Sequence, residues 1–405
     1  MTQLQLSGDT QYLCSCMQTS WISIVAMDSL AVSTGNFTLD LFQKLNESAK
    51  GTNIFFSPWS IASALAMVYV GAKGNTATQM AEESDQGKDE DVHRGFLALI
   101  SEINKPRSTY VLRTANRLYG EKTFHFLTEY IQLVKKYYRA EPQSVNFLKA
   151  AEQVRKEINS WVESQTESKI QNLLPKGAVS SDTALVLVNA IYFKGKWAKR
   201  FPKENTTEQP FRLSKTKTKP VQMMFLKDVF LVNYIEALRT KVVTLPYISN
   251  DLSMFILLPD DINDKSTGLE LLERELTYEK LSQWTSLENM GKAEVELHLP
   301  RIKLEESYDL KSTLSNMGMK DAFSKNQADF TGMSEKNDLF LSQVFHKTFV
   351  EVNEEGTEAA ASTAAVVVVR SLLSFDKFKA DHPFLFFIIH NKTKNILFFG
   401  RFCSP

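Results

Sequence analysis

Residues 353–371 constrain this chain more than any other stretch, because their composition suits two different conformations. Residues 359–361 are alanines that favour a helix, whereas residues 366–369 are valines that favour a strand. Residues 357–365 include no large apolar side chain, so nothing would anchor them in a packed core. The segment could therefore stand exposed or slide between two existing strands. It ends in Arg370, which suits a protease that cleaves after basic side chains. An Ala-rich linker is the alternative, and composition alone does not separate the two.

The rest of the chain has the composition of a large folded domain. It contains 405 residues, of which 43% are hydrophobic, so it can bury a sizeable core. The 47 acidic and 47 basic residues give a formal net charge of zero, which offers no electrostatic case for binding nucleic acid or a membrane. No apolar run reaches membrane-spanning length. The cysteines at 14, 16 and 403 cannot form a disulfide framework, so we expect a reducing compartment.

The N-terminus differs in composition from the rest of the chain. The first 26 residues contain no Lys or Arg and a single acid, Asp9. A secretory signal would have a basic start and a longer apolar stretch, so we expect a disordered extension over residues 1–26. Beyond Met27 no long Gly/Pro/Ser linker interrupts the chain, which predicts a single domain over residues 27–405.

Helical and strand patterns alternate through this domain, which predicts an α+β fold. Apolar residues recur at helical spacing over 36–45, Ser57-Pro58 has the sequence of a helix start, and 154–162 predicts an amphipathic helix. Strands are predicted at 185–193, 253–258, 295–299 and 348–352, and 384–389 with 396–399 predicts a buried hairpin. The acidic stretch 82–92 is expected to be a solvated loop.

The chain carries none of the common catalytic signatures. GxSxG, HExxH, GxGxxG and P-loop motifs are all absent, and the six histidines have no metal-binding spacing. His346 stands at the start of a strand pattern, where a buried, hydrogen-bonded histidine is more common than a catalytic base. We therefore expect no enzymatic activity, no metal and no cofactor.

Four segments resemble the signatures of one family, and they occur in that family's order. They are NIFFSPWS at 53–60, NRLYG at 116–120, LVNAIYFKGKW at 187–197 and DHPFLFF at 381–387. On these segments the chain, from residue 27 to 405, is identified as a member of the serpin family and resembles its intracellular, ovalbumin-like branch. The resemblance implies three β-sheets, about nine helices and an exposed reactive-centre loop at about 354–378. It also implies a monomer in the cytoplasm, with the nucleus and unconventional secretion as alternatives.

The resemblance gives residues 353–371 a function. In serpins a serine protease attacks the loop and forms an acyl-enzyme, and the cleaved loop then inserts as a new strand in the central sheet. Counted from the hinge residue Gly356, the scissile bond would be Arg370–Ser371, which implies a trypsin-like protease as the partner. Cleavage after Val369, which would suit an elastase-like enzyme, is the alternative.

Alternation along an inserted strand would turn one set of side chains into the core. These are all small or β-branched and uncharged: Thr357, Ala359, Ala361, Thr363, Ala365 and Val367. Glu358 would face outwards. The pattern favours an inhibitor over the competing interpretation, a non-inhibitory serpin that serves as a binding or storage protein.

Further residues match family positions one by one. Ser57, Ser60, Asn189 and His346 resemble the polar cluster that controls opening of the central sheet. Trp197 resembles the tryptophan where loop insertion begins, and Arg301 with Glu354 matches an ion pair at the top of the loop's parent strand.

Two positions depart from the family pattern. The chain is shorter than usual between Met80 and His93, and Ser168 stands where the family usually has glycine. If position 168 needs a positive φ, local strain follows.

Overall fold

The computed structural model describes residues 8–83, 90–105, 109–336, 338–355 and 376–405, with the backbone alone for 8–27, 83 and 90. Most of the predicted reactive-centre loop therefore lies outside the described residues. This applies to Gly356, Thr357, Ala359, Ala361, Thr363, Ala365, Val367, Arg370 and Ser371.

Helices and strands are interspersed along the described chain. The nine α-helices described are α1 (Gly8–Ser48), α2 (Pro58–Tyr69), α3 (Gly74–Glu83), α4 (Glu90–Ile103), α5 (Thr128–Tyr138), α6 (Phe147–Gln165), α7 (Glu270–Glu275), α8 (Tyr278–Trp284) and α9 (Lys311–Met317). The strands are β1 (Ile54–Phe56), β2 (Tyr110–Glu121), β3 (Gln143–Val145), β4 (Leu185–Gly195), β5 (Thr207–Arg212), β6 (Thr218–Ile235), β7 (Thr240–Pro246), β8 (Leu252–Pro259), β9 (Gly291–Pro300), β10 (Ile302–Asp309), β11 (Leu341–Val352), β12 (Lys377–Lys379), β13 (Phe384–His390) and β14 (Ile396–Phe402).

The strands form two hydrogen-bonded sheets in the part of the chain that the structure describes. The central sheet has five strands in the order β10-β11-β4-β2-β3. The second has nine, in the order β1-β14-β13-β8-β7-β6-β9-β12, with β5 also paired to β6. Three sheets were expected, but the 18-residue strand β6 pairs with β9 along 223–232 and with β7 along 231–235. Its length joins two of the expected sheets into one hydrogen-bonded network.

Helix α2 lies at the centre of the molecule. All of its residues from Pro58 to Val68 are buried, and its apolar side chains belong to one core cluster together with side chains of both sheets. A smaller core lies on the opposite face of the central sheet, where Val154, Ile158 and Val162 of α6 pack against side chains of β2, β4 and β11. The central sheet is therefore covered on both faces, which explains the continuous apolar run of β4.

The predicted strands and the hairpin of β13 and β14 are confirmed, while one expectation about the first hundred residues needs correction. The extension predicted over residues 1–26 is described from residue 8 onwards, where the backbone is helical without a break to Ser48. No proline precedes Pro58, so nothing in this stretch removes a helical hydrogen bond. The acidic stretch 82–92 was expected to be a loop, but its two ends belong to α3 and α4. Residues 84–89 lie outside the described part.

Candidate functional site

The candidate site lies where β4 and β11 meet in the middle of the central sheet. These two strands run parallel, in continuous register from Gln343 opposite Val186 to Val350 opposite Phe193, with a register shift between Leu341 and Gln343. The predicted reactive-centre loop follows β11 directly. A segment that folds back from the end of β11 and enters between the two strands would run antiparallel to both. Insertion would thus replace a parallel pairing by two antiparallel pairings, which are slightly more stable per residue.

A buried polar cluster joins β4 and β11 to the start of α2. His346 of β11 is opposite Asn189 of β4, and its Nδ1–H donates to the Asn189 Oδ1. The other ring nitrogen, Nε2, accepts the backbone N–H of Ser57 at 3.1 Å. The Nδ2 of Asn189 donates to the Ser60 Oγ at 2.7 Å and also to the Oδ1 of Asn116 on β2. The four predicted residues Ser57, Ser60, Asn189 and His346 are therefore in one hydrogen-bonded cluster.

Burial keeps the imidazole of His346 neutral. The residue is fully buried, and desolvation lowers its pKa to about 3. Because Nε2 accepts a backbone N–H, the proton must be on Nδ1, which is the tautomer that donates to Asn189. Separating β4 from β11 would break this bond, at a net cost of about 1 kcal/mol per neutral hydrogen bond.

Ser57 occupies the N-cap position of α2, but its hydroxyl does not cap the helix. Its Oγ donates instead to the carbonyl of Leu397 on β14 at 2.6 Å. On β11, Thr348 donates from its Oγ1 to the carbonyl of Phe55 on β1 at 2.9 Å. These two bonds tie β11 and the start of α2, which the buried polar cluster joins, to the second sheet.

Trp197 holds the chain where it leaves β11. Its indole Nε1 donates to the carbonyl of Asn353 at 3.0 Å, and its ring stacks on Tyr247 with centroids 4.4 Å apart. The tryptophan is 3% exposed, whereas Asn353 is half-buried.

The next residue, Glu354, is held by an ion pair. Arg301 contacts its carboxylate through Nε, at 2.8 and 3.0 Å from the two oxygens, and through Nη2 at 2.7 Å. Thr206 donates a further hydrogen bond. Although Glu354 is only 3% exposed, Arg301 is 46% exposed. Burial alone would raise the pKa of the Glu354 carboxyl, but the bonds from Arg301 and Thr206 outweigh it and hold that pKa below its usual value.

Glu355 pairs with the end of β4. Its carboxylate is 2.9 Å from the Nζ of Lys194, and its backbone N–H donates to the Asn353 Oδ1. This contact lowers the pKa of Glu355 and raises that of Lys194. Three consecutive residues, 353 to 355, are thus each bound at the point where the loop begins.

The structure places every described residue of the predicted site in one of these contacts, but it also adds Asn116, Lys194, Thr206 and Glu355. Asn116 belongs to one of the family-like segments and is opposite Asn189 in the register of β2 and β4, so the strand pairing could have identified it. The contacts of Thr206 and Lys194 join residues more than a hundred positions apart, and no local pattern signals them.

Ser168, which stands where the family usually has glycine, does have a positive φ. Its φ is +60°, in the left-handed region that disfavours residues with a Cβ, and the preceding Glu167 has a φ of +51°.

No metal-binding group emerges among the described residues, since no three His, Cys, Asp or Glu side chains converge. Within the same part of the chain, no helix is long and apolar enough to cross a bilayer.

The comparisons with known proteins agree with this architecture. The family model described as serpin (serine protease inhibitor) matches residues 32–405, and the chain belongs to the serpin family. The family is described by protease inhibition and not by catalysis, which confirms the prediction that the chain is not an enzyme.

Among curated proteins, the chain is similar to Serpin B10 of Homo sapiens, with 55% identity over 401 residues that cover 94% of this chain and all of that protein. It is also similar to leukocyte elastase inhibitor of Equus caballus, with 54% identity over 379 residues, 94% of this chain and all of the relative. These relatives agree with a bomapin-like member of the ovalbumin-like branch.

Among solved structures, maspin matches with a TM-score of 0.88 at 40% identity, covering 94% of this chain and all of maspin. Uncleaved ovalbumin gives 0.86 at 40% identity, over 93% of this chain and all of ovalbumin. A loop-inserted, cleaved ovalbumin mutant gives 0.83 at 40% identity, again over 93% and 100% of the two chains. The matches confirm the serpin fold.

Proposed function

We propose that this chain is a suicide-type inhibitor of trypsin-like serine proteases, acting as a cytoplasmic monomer. The observation that supports this most is that β4 and β11 form a closed parallel pair. The predicted reactive-centre loop begins at the carboxyl end of β11. An inhibitory serpin needs such a site, because the cleaved loop must find a place in the sheet.

The proposed reaction begins at the Arg370–Ser371 bond. The protease serine attacks the Arg370 carbonyl, the amine of Ser371 leaves, and an ester links Arg370 to the protease. The loop on the amino side of Arg370 then folds back and enters between β4 and β11, carrying the protease with it. Distortion of the protease prevents hydrolysis of the ester.

The side chains of the proposed inserted strand suit the space available. On β11, His346 and Thr348 face α2, while Phe345 and Phe349 face α6. The inward face of a new strand between β4 and β11 must fit the packed layer beneath the sheet, so small inward residues such as Thr357 and Ala359 can enter without opening a buried cavity for themselves. A charged residue in that set would have to be desolvated without a partner.

The anchors at 353–355 are proposed to set the timing. They hold the start of the loop outside the sheet until cleavage frees the other end. The native state is then held by a kinetic barrier, so equilibrium stability is the wrong measure of it.

The cysteine chemistry agrees with a reducing compartment. Cys403 is a buried free thiol, and burial raises its pKa to about 12, so it stays protonated and unreactive.

Mixing the protein with trypsin tests the proposal, with an elastase in parallel. On a denaturing gel we expect a covalent band at the summed mass with trypsin, and mass spectrometry should place the new terminus at Ser371. Cleavage without that band would favour the non-inhibitory alternative. A covalent band with elastase alone would move the reactive bond to the carboxyl side of Val369.

A further inference from the structure

Strand β12 is a short edge strand at which the predicted reactive-centre loop ends. It spans Lys377–Lys379, and among the described strands it pairs with β9 alone. A backbone hydrogen bond flanks the pairing on each side: the Glu296 N–H donates to the Asp376 carbonyl at 2.8 Å, and the Ala380 N–H donates to the His298 carbonyl at 3.0 Å. A strand held by so few bonds can open locally without unfolding the domain.

Two side-chain contacts add to this attachment. Phe378 is fully buried, and the Nζ of Lys241 on β7 donates to the Lys377 carbonyl at 3.4 Å. Neither contact depends on the protonation state of His298, the histidine of β9 that pairs with β12.

His298 lies directly opposite Lys379 in the register of β9 and β12. Its ring packs against Phe225 of β6, with ring centroids 4.8 Å apart. Its Nδ1 is buried and has no hydrogen-bond partner among the described residues. A neutral imidazole can leave Nδ1 without a proton, but the imidazolium must carry an N–H there that no acceptor meets. Protonation therefore adds a buried, unsatisfied donor as well as a charge.

Four charged side chains surround His298. Lys377 and Lys379 of β12 are basic, whereas Glu296 of β9 and Asp381, which follows β12, are acidic. Burial and the two lysines lower the pKa of His298, and the two acids do not offset them. The neutral imidazole is therefore the form that suits the attached strand.

We propose that β12 is a pH-sensitive attachment for the carboxyl end of the loop, and that protonation of His298 beside Lys377 and Lys379 releases the strand from β9. Detachment carries both lysines away and returns the imidazole to water. The strand stays bound in a near-neutral compartment and is released in an acidic one, which frees this end of the loop without cleavage.

The size of the effect follows from the linkage between protonation and opening. In the detached form His298 has its ordinary pKa of about 6.5. Because attachment lowers this pKa, the attachment is fully stable above pH 6.5 and weakens as pH falls below it. The opening constant rises by up to about tenfold per pH unit until the lowered pKa of the attached form is reached. Between pH 7.5 and pH 5.0 it should rise by up to about 30-fold.

Hydrogen exchange of the uncleaved protein, measured by mass spectrometry, tests the proposal. The readout is the protection of a peptide that covers residues 376–380, corrected for the pH dependence of intrinsic exchange. We expect this protection to fall by at least about threefold from pH 7.5 to pH 5.0 in the wild type. In His298→Gln, which keeps a neutral polar side chain, the fall should be lost. Other groups titrate alike in both proteins, so their effects cancel in the comparison.

Three further variants serve as controls. His125→Gln should behave as the wild type does, because His125 is exposed in the connection between β2 and α5. In His382→Gln the fall should remain, since protonated His382 would bind the Asp381 carboxylate more strongly and would not release the strand. Lys377→Met removes one of the two positive charges but keeps an apolar stem, so it should reduce the fall.

An equal loss of protection in the wild type and in His298→Gln would overturn the proposal, as would a fall that disappears in His125→Gln. If His298→Gln is already detached at pH 7.5, Lys377→Met decides, because Lys377 is opposite Glu296 and its replacement leaves the ring of His298 in place. A fall in that variant as large as in the wild type would also overturn the proposal. The readout does not require the chain to inhibit a protease, so it is independent of the proposed function.

Discussion

Replacing Arg301 by alanine would leave the carboxylate of Glu354 buried with Thr206 as its main remaining partner. The pair has three contacts between 2.7 and 3.0 Å, and Glu354 is 3% exposed. Breaking a fully buried pair costs about 3–5 kcal/mol, but Arg301 is half exposed and water screens part of the interaction, so we expect about 2 kcal/mol. We propose that this contact holds the start of the loop outside the sheet, so its loss should lower the barrier to loop insertion.

A barrier lowered by about 2 kcal/mol corresponds to a rate about 30-fold higher. The assay is loss of monomer on native gels at a temperature where the wild type polymerises over hours. Arg113→Ala is the control, because its ion pair with Glu167 has the same 2.7 Å distance with both side chains about half exposed. That variant should change the rate only slightly. Adding Glu354→Gln to Arg301→Ala removes the unpaired charge and should restore part of the barrier. Polymerisation of Arg301→Ala at the wild-type rate, or an equal acceleration in Arg113→Ala, would refute the role given to the ion pair.

Three further predictions concern other residues. The pKa of His346 is lowered to about 3, so the stability that its neutral form contributes is complete above pH 6.5 and is lost as pH falls below it, by up to about 1.4 kcal/mol per pH unit. Burial raises the pKa of Glu306 to about 7, so protonation of Glu306 makes the folded protein more stable as pH falls, opposite to the effect of His346. The urea midpoints of the wild type and of His346→Gln must therefore be compared at each pH. A difference between them that stays constant with pH would contradict the effect given to His346. Ser168→Gly relieves the positive φ and should stabilise the protein by up to about 1 kcal/mol in urea, whereas Ser168→Ala should not. Trp197→Phe removes the hydrogen bond to Asn353 and should speed polymerisation by about fivefold. An unchanged rate would show that this bond does not restrain the loop.

Much of the fold could be predicted from local pattern. Strand β4 was predicted from a continuous apolar run, and it is buried on both faces by α2 and α6. The start of α2 was predicted from Ser57-Pro58, although the Ser57 hydroxyl has a long-range partner instead of a capping bond. A sequence shows that a serine can cap a helix, but it does not show that the Leu397 carbonyl lies closer.

The site was harder to predict than the fold. Asn189, His346 and the pair of Arg301 with Glu354 came from family resemblance, not from local pattern. The hydrogen bond that fixes the tautomer of His346 depends on three separate chain segments meeting. Strand β6 joins two expected sheets because it pairs with both β7 and β9. The alternation of apolar residues along a strand does not show which strands will pair with it.

Insertion of the loop between β4 and β11 is the central claim, and substitution at Thr357 tests it most directly. With trypsin, the wild type should form a covalent complex on a denaturing gel. Thr357→Arg should be cleaved at the same bond without forming the complex, because an inward-facing charge cannot be buried in the sheet. Glu358→Arg places the same side chain one residue on, on the outward face, and should still form the complex. Undiminished complex formation by Thr357→Arg, or equal loss in both variants, would contradict insertion.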